Sequence, residues 1–368
     1  MAHEAINQGH EVGLVIKRWP EIPTPIQQLQ ARGAKVFFRI LNPDRKWKRA
    51  FEYLVHPFPG IIRWAPEAIL ISQAGLYDLM YRNDVHRLVQ SLQLPYTVVI
   101  QQVSEYQFPI GNDHFRERIA RYCLRAHRVA FVSEGNRKGA ERQLGIDLPN
   151  SCVVRNPTHL DAHAIAPWPQ QQTARMACVA RLEVNDKGQD ILLECLAADP
   201  WKTRDWELRL YGKGQDEAYL TKLAQHRGIA GRVTFCGQVD DVFSIWLHNH
   251  LHVLASRTEG TPLALVEAML CGRPSVVSDV GGNAEWVAEP HNGFIAEAPS
   301  VRSFGAALER AWAARADWEA IGKAAHHDAL DLIDPTPGRT LLELVTAPAG
   351  KGRADAPSHA QVTTLPSA

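Results

Sequence analysis

Several features that would point to whole classes of protein are missing from the sequence. In 368 residues, 40 Lys and Arg balance 40 Asp and Glu, so no overall positive charge favours nucleic acid as a partner. None of the six cysteines falls in C-x-x-C spacing, and most lie in apolar stretches, which favours a reduced setting. No uncharged apolar run approaches the roughly 18 residues of a membrane-spanning helix, and residues 1–16 lack the layout of a secretory signal. These absences favour a cytoplasmic protein that is soluble or peripheral to the inner face of the membrane.

Two kinds of cofactor site are also missing. No G-x-G-x-x-G follows a predicted strand, so a Rossmann-type dehydrogenase is set aside. The 16 histidines are scattered, and the "HHD" run at His326–Asp328 has no third clustered ligand. We therefore expect neither a cofactor nor a metal.

Short apolar runs alternate with amphipathic stretches, a pattern typical of βαβ units around a buried parallel sheet. In the first half, strands are predicted at residues 11–16, 34–40, 68–72, 96–101, 128–133 and 152–156. In the second half, they are predicted at residues 176–181, 206–212, 232–237, 251–256 and 274–279. Helices are expected between them, for example at residues 84–93 and 113–126.

A proline-rich segment separates the two halves. Residues 156–176 carry prolines at positions 157, 167 and 169, which is typical of an inter-domain connection. We therefore predict two doubly wound α/β domains, residues 1–160 and 161–345, with a ligand cleft between them where strand ends face each other. Residues 346–368 are small, polar and Pro-rich, and are predicted to form a disordered tail.

The stretch "SRTEGTPLALVEAML" follows the predicted strand at 251–256 and begins a helix. Thr261 is a typical N-cap residue and Pro262 suits a first helical position, so the helix is predicted to start there. Gly260 lets a ligand approach the backbone closely. The free N–H groups of the first turn then predict an anion site.

Two glutamates, Glu259 and Glu267, flank this predicted anion site in an E-x7-E pattern. Carboxylates would repel a phosphate, so we expect each to accept hydrogen bonds from hydroxyl groups instead, one on a sugar and one on a ribose. Arg181 and Lys187, in "VARLEVNDKGQD", follow another predicted strand and can neutralise a diphosphate without a metal.

A second close-approach loop is predicted in "SDVGGNAEWV". It supplies Gly281 and Gly282 after a strand, with Asn283 or Glu285 near the start of the following helix.

In this order, the motifs resemble the nucleotide-binding half of retaining glycosyltransferases of the GT-B fold, family four. The resembling segments are "ARLEVNDKGQD", "LRLYGKGQDEAYL", "GRVTFCGQVDDV", "LASRTEGTPLALVEAMLCGRPSVVSDVGGNAE" and "HNGFIAE". The first half is similar more loosely, through "EAILISQ", "VAFVSEGNRKGAERQLG" and "VVRNP". The resemblance implies two Rossmann-like domains and sugar transfer from a UDP- or GDP-linked sugar to a glycan or lipid-linked acceptor. It further implies retained anomeric configuration and a role in envelope polysaccharide or glycolipid synthesis.

The resemblance also implies roles for single residues. The glutamate matching Glu259 lies near the donor hexose and the reaction centre, whereas the one matching Glu267 holds the ribose. The family's diphosphate-binding cations fall on Arg181 and Lys187. Catalytic roles are thus expected for Glu259, Arg181 and Lys187. Donor binding is expected from these three together with Gly260, Thr261, Pro262, Leu263 and Glu267.

The sequence departs from the family pattern at two places. Met1 already lies in the helix that normally follows a first strand and a Gly-rich loop, which suggests a misplaced start codon or a truncation. Because the absent strand normally sits mid-sheet, an unpaired gap between neighbouring strands is predicted. Gln101 and Gln102 stand where many relatives carry a histidine, and glutamine cannot titrate.

Several alternatives stay open at this stage. A non-catalytic sugar-nucleotide-binding protein is favoured by the absent first strand, and a glycoside hydrolase could use the two glutamates as an acid and base pair. The basic, amphipathic segment Pro43–Pro57 is either an ordinary helix packed on the sheet or an interfacial helix on anionic lipid. The basic segment Arg116–Arg128 is interpreted as a solvated helix face.

Overall fold

The computed structural model describes residues 1–16, 21–38, 58–104, 112–158 and 160–347. The whole amphipathic segment at residues 43–57 lies outside these ranges. So does the predicted tail, apart from its first two residues.

Parallel strands dominate both halves, as the alternating pattern predicts. The strands are β1 (Gly13–Ile16), β2 (Lys35–Phe38), β3 (Ile69–Gly75), β4 (Tyr96–Gln102), β5 (Arg128–Phe131), β6 (Ser151–Val153), β7 (Ala174–Val179), β8 (Trp206–Tyr211), β9 (Val233–Gly237), β10 (Leu251–Leu254), β11 (Ser275–Ser278) and β12 (Gly293–Ala296). Each predicted strand is present, and β12 is an additional one that the sequence analysis missed.

Helices connect these strands. They are α1 (Ala2–Asn7), α2 (Thr24–Ala31), α3 (Pro59–Trp64), α4 (Asn83–Leu92), α5 (Asp113–Arg125), α6 (Glu134–Leu144), α7 (Val184–Lys187), α8 (Gln189–Leu196), α9 (Asp199–Lys202), α10 (Glu217–His226), α11 (Val242–Trp246), α12 (Leu263–Leu270), α13 (Val301–Ala313), α14 (Trp318–Leu332) and α15 (Pro337–Thr346). Short 3-10 turns lie at Asp78–Tyr81, Ala230–Arg232, Asn283–Glu285 and Arg315–Asp317.

The C-terminal half contains one six-stranded sheet with the order β12-β11-β10-β7-β8-β9. All of its neighbouring strands are parallel. The order reverses direction at the neighbouring strands β7 and β10, which is where ligands bind in doubly wound sheets. A ligand site is therefore expected at the connections that follow these two strands.

The N-terminal half contains two separate sheets. One has the order β3-β4-β5-β6, and the other is the parallel pair β1-β2. Within the described ranges no strand joins the two sheets, in agreement with the predicted gap. Trp64 of α3 packs directly on β1, because a Cβ atom on Gly13 would collide with its indole ring.

One buried arginine ties the inter-domain connection to the C-terminal half. Arg273 is 1% exposed. Its guanidinium group donates hydrogen bonds to the backbone carbonyls of Ala166, Pro167, Trp246, Asn249, Cys271 and Gly272. Burial lowers its pKa to about 10, so it remains charged at neutral pH. The many carbonyl acceptors offset the cost of burying that charge.

The last described helix returns to the first half of the chain. Leu341 and Leu344 of α15 pack on the apolar cluster formed by Val99, Ala130 and Val154 of the N-terminal half. The predicted boundary places this helix with residues 161–345, whereas its apolar face is buried against the other half. The helix therefore contributes to holding the halves together.

None of the helices in the described ranges is both long enough and apolar enough to span a bilayer.

Candidate active site

The site is built by two connections that leave neighbouring strands at the same edge of the C-terminal sheet. Strand β7 ends at Val179 and is followed by the loop carrying Arg181 and Lys187. Strand β10 ends at Leu254 and is followed by the loop carrying Glu259. Because β7 and β10 are paired in parallel, both loops emerge side by side.

Lys187 and Glu259 form a buried ion pair at the centre of this edge. The Lys187 Nζ donates to Glu259 Oε1 at 2.7 Å, and the two side chains are only 16% and 5% exposed. The hydroxyl of Ser256 donates to the same oxygen at 2.6 Å. Two of the residues predicted to act on a donor are therefore in direct contact, and Ser256 is a third member that the sequence analysis did not assign.

The two loops are fixed to each other around this pair. Gly188 has a φ of 61° and packs so closely on Ala255 that a Cβ atom would lie 2.9 Å from the Ala255 carbonyl carbon. The guanidinium group of Arg257 donates to both oxygens of Asp190 at 2.7 Å. The Arg257 backbone N–H also donates to the Asp186 carbonyl at 2.8 Å. The position of Lys187 relative to Glu259 is thus set by rigid neighbours.

Arg181 lies on the same loop but outside the buried pair. Its side chain is 64% exposed and forms ion pairs with Glu183 and, at 3.2 Å, with Asp186. Within the described residues, no hydrogen bond or ion pair joins Arg181 to Glu259. The structure therefore brings Lys187 and Glu259 together and leaves Arg181 at the solvent-exposed rim.

The helix after Glu259 starts one residue later than predicted, and Thr261 does not cap it. Helix α12 begins at Leu263, with Pro262 at the N-cap position and no side-chain cap. The Thr261 hydroxyl instead donates to the Val132 carbonyl of the N-terminal half at 2.8 Å. The N-cap prediction is wrong because this hydroxyl has a partner across the domain boundary, which the local sequence could not reveal.

The first turn of α12 still offers backbone donors. The N–H groups of Leu265 and Val266 bond to the Pro262 carbonyl, at 3.1 and 3.4 Å. In the part of the chain described here, the N–H groups of Leu263 and Ala264 have no acceptor. Free N–H groups at a helix start favour an anion.

Glu267 differs from Glu259 in its surroundings. Its side chain is half-buried in the second turn of α12, and no donor among the described residues bonds to its carboxylate. Burial raises its pKa to about 7. The two glutamates of the E-x7-E pattern are thus in different electrostatic states, one paired with a lysine and one without a partner.

The N-terminal half meets this site through Asn136, at the start of α6. Asn136 is 1% exposed. Its amide nitrogen donates to the Glu259 carbonyl at 3.3 Å and to the Ser133 hydroxyl at 2.7 Å. Its amide oxygen accepts from the Val103 N–H at 2.5 Å. Asn136 therefore links the loop of Glu259 to two elements of the other half.

The sequence analysis did not assign Asn136 or Ser256, although both lie in quoted motifs. Asn136 stands three residues after Ser133 in "SEGN", a spacing in which the serine hydroxyl accepts from the Asn136 N–H at 3.1 Å as a helix N-cap. This spacing is a local signal of a helix start and gives no indication of contact with the other half.

Glycines allow the two halves to meet backbone to backbone. A Cβ atom on Gly260 would collide with the Gln101 carbonyl oxygen and lie 2.8 Å from a methyl carbon of Val132. The Gly282 N–H donates to the Gly260 carbonyl at 2.7 Å, and a Cβ atom on Gly282 would lie 2.6 Å from the Ser133 Cβ. The predicted close-approach loop is thus used for contact between the halves.

Glu285 adds a polar contact beside these glycines. One carboxylate oxygen accepts from the Gly135 N–H at 3.0 Å, and the other forms an ion pair with Arg155 at 2.8 Å.

In the described ranges, no group of three or more His, Cys, Asp or Glu side chains is arranged to hold a metal ion.

Comparison with known proteins gives a family for this geometry. Residues 173–314 match the family model described as Glycosyl transferases group 1. Residues 173–314 of the C-terminal half are therefore similar to group 1 glycosyl transferases. The fold of the chain is GT-B, because 90% of it superposes on 98% of the Anabaena protein Alr3699/HepE, solved in complex with UDP, with a TM-score of 0.69 and 18% identity.

Curated relatives of the group 1 domain match over shorter segments. An uncharacterized glycosyltransferase of Haemophilus influenzae is 32% identical over 124 residues, which are 33% of this chain and 35% of that protein. A GDP-mannose-dependent alpha-(1-6)-phosphatidylinositol monomannoside mannosyltransferase of Mycolicibacterium smegmatis is 28% identical over 255 residues, 62% of this chain and 65% of the relative. The match thus spans only about a third of the first relative's length.

Proposed function

We propose that this GT-B protein is a retaining glycosyltransferase that moves a hexose from a UDP- or GDP-linked sugar to a glycan or lipid-linked acceptor. The observation that carries the proposal is the buried Lys187–Glu259 pair beside the start of α12. A cation, a carboxylate and free backbone N–H groups at one strand edge are what a sugar diphosphate requires.

The Lys187–Glu259 pair indicates the order in which the donor makes its contacts. Lys187 donates to Glu259, and an incoming diphosphate offers Lys187 a competing, more highly charged partner. Transfer of Lys187 to the phosphate frees one oxygen of Glu259, still held by Ser256, to accept from a sugar hydroxyl. Arg181 at the rim adds a second cation for the diphosphate.

Cleavage of the donor builds negative charge on the leaving phosphate and positive charge on the sugar ring. Lys187, Arg181 and the N–H groups of Leu263 and Ala264 stabilise the first charge, and Glu259 stabilises the second. In the proposed reaction the leaving phosphate oxygen accepts the acceptor proton on the same face of the ring, which retains the anomeric configuration. The proposed reaction uses no protein nucleophile and no metal ion.

The relatives support a nucleotide-sugar donor, since one is named for GDP-mannose and another was solved with UDP. The phosphatidylinositol mannoside in the first name supports a lipid-linked acceptor. We place the reaction in the cytoplasm, in envelope polysaccharide or glycolipid synthesis. Contact with anionic membrane stays a proposal through the segment at residues 43–57, which lies outside the described residues.

A thermal-shift screen over nucleoside diphosphates and their sugars tests the proposal. A ligand that binds only the native state raises the Tm, by an amount that grows with its concentration over Kd. We expect one diphosphate series to raise the Tm of the wild type, and Lys187→Met and Glu267→Ala each to reduce that rise. The selected donor is then incubated alone to detect slow hydrolysis. Binding without hydrolysis and without transfer to any acceptor would favour the non-catalytic alternative.

The raised pKa of Glu267 predicts pH-dependent donor binding. If its carboxylate accepts from ribose hydroxyls, binding requires the ionised form, which is lost as pH falls through about 7. We expect donor affinity to be constant above that pH and to fall up to tenfold per pH unit below it. Calorimetric titration of the selected nucleotide sugar between about pH 5.5 and 8.5, a range centred on the expected midpoint, measures this change in donor affinity. Glu267→Gln should bind more weakly with a flat profile, and a wild-type slope that persists in this variant would contradict the assignment.

One observation favours a second candidate, a glycoside hydrolase. An acid and base pair needs two carboxyl groups in different surroundings, and burial raises the pKa of Glu267 to about 7 whereas Glu259 is paired with Lys187. Incubation with nitrophenyl glycosides in the absence of nucleotide decides between the two. Hydrolysis that is lost in Glu267→Gln would support this candidate, whereas no release would remove it.

A further inference from the structure

A cavity lies in the N-terminal half, between α4 and α5, with a volume of about 500 Å³. Tyr96, the first residue of β4, lines it. Gln101, near the other end of that strand, contacts Gly260 of the candidate active site. The cavity is therefore at the opposite edge of the sheet from that site, and its volume is typical of small-molecule pockets.

Among the described residues, the lining of this cavity carries basic groups and no carboxylate. The basic lining residues are His86, His114, Arg118, Arg121 and Arg125. The three arginines are three and four residues apart on α5, so they lie on one helix face. The exposure of Arg121 and Arg125 agrees with the interpretation of this segment as a solvated face, and the structure adds a cavity beside them.

The described residues provide little neutralisation for Arg121 and Arg125. Arg121 and Glu117 are 3.7 Å apart, and their side chains are 67% and 70% exposed, so their attraction is weak. Arg125 forms no ion pair with any residue in the described ranges. Burial, with the nearby guanidinium groups of Arg118 and Arg125, lowers the pKa of His86. The potential in the cavity is therefore positive.

Two stacked tyrosines form an apolar wall beside the arginines. The rings of Tyr96 and Tyr122 are 5.0 Å apart between centroids, and the Tyr96 hydroxyl donates to the Tyr122 carbonyl at 2.6 Å. Tyr122 is only 7% exposed, and its own hydroxyl has no hydrogen-bond partner. Buried polar groups without partners are rare, and this one belongs to a cavity-lining residue.

We propose that this cavity binds a phosphate ester, with the phosphate held by Arg121 and Arg125 and the attached organic group against Tyr96 and Tyr122. Guanidinium groups bind phosphate with paired, charge-assisted hydrogen bonds, and an aromatic wall suits a ring or acyl group. The phosphate ester comes either from a soluble metabolite or from a phospholipid headgroup. The proposal is independent of the function assigned to the other site.

Calorimetric titration of phenyl phosphate into the full-length protein tests the proposal. We expect saturable binding, and no binding of phenol, which has the ring without the phosphate. The double variant Arg121→Gln/Arg125→Gln should weaken binding at least tenfold, and Tyr122→Phe should weaken it about threefold. Arg116→Gln is the matched control, because Arg116 is on the same helix, pairs with Asp113 and does not line the cavity. Repeating the titration with the Lys187→Met variant shows whether phenyl phosphate also binds at the candidate active site and adds to the signal.

Vesicle flotation distinguishes the two sources of the ligand. A phospholipid headgroup predicts flotation with phosphatidylcholine vesicles containing phosphatidic acid, lost in the double variant but not in Arg116→Gln. A soluble ligand predicts phenyl phosphate binding with no such flotation. Absence of both, or a double variant with wild-type thermal stability that binds phenyl phosphate as the wild type does, would overturn the proposal.

Discussion

Lys187→Met is expected to lower kcat/KM for sugar transfer by about 10²- to 10³-fold, the usual cost of removing one preorganised charge-stabilising group. Lys187 is the buried cation of the candidate active site. In the proposed reaction, its amine stabilises the negative charge that builds on the leaving phosphate. Arg181 is 64% exposed and engaged by its own loop, so it cannot replace Lys187 without moving. Initial rates with the donor selected in the thermal-shift screen measure the effect.

The same substitution should also destabilise the fold. Glu259 has a side chain only 5% exposed, and without Lys187 it keeps only the Ser256 hydroxyl as a donor. Breaking one partner of a buried pair costs about 3–5 kcal/mol of unfolding free energy, because the remaining charge is left uncompensated. Urea denaturation of the variant measures this loss.

A double variant separates the two effects. Lys187→Met with Glu259→Gln removes both charges, so stability should recover towards the wild type while activity stays low. Lys202→Ala is the control, since Lys202 pairs with Asp199 on the surface with side chains 61% and 91% exposed. It should change neither quantity appreciably. Near-wild-type transfer by a folded Lys187→Met protein would remove Lys187 from the mechanism.

The sequence predicted the parts of this site that depend on local order. A strand, a glycine-containing loop and a helix start are encoded within a few residues, and this is why Glu259 was placed correctly at a strand end beside α12. The predicted roles of Arg181, Lys187 and Glu267 toward a donor stay predictions. What the structure adds is that Lys187, and not Arg181, reaches Glu259.

The contacts between distant segments could not be predicted from one sequence. The Lys187–Glu259 pair depends on β7 lying next to β10, and the use of the Thr261 hydroxyl depends on Val132 in the other half. Asn136 was not assigned a role from the sequence, because its contact with the Glu259 carbonyl joins the two halves. Strand β12 was missed although β1, which was predicted, is also four residues long and begins with a glycine.

Gly260→Ala is expected to lower kcat/KM by about 100-fold, because misplacement of catalytic groups by about 1 Å has effects of this size. A methyl group at this position would collide with the Gln101 carbonyl oxygen, which belongs to the backbone of β4 and cannot rotate away. The two halves must then separate locally, and the hydrogen bond from Asn136 to the Glu259 carbonyl is stretched. The loop of Glu259 loses its support from the N-terminal half.

Donor binding should change much less than turnover in this variant, since Lys187, Glu267 and the free N–H groups of α12 all lie in the C-terminal half. The comparison is therefore between Kd for the donor and kcat/KM for transfer, with the radius of gyration from solution scattering reporting separation of the halves. Gly231→Ala is the matched control, because a Cβ atom there would meet nothing within 4 Å. If Gly260→Ala transfers sugar as fast as Gly231→Ala, contact between the halves at this glycine is not required for catalysis.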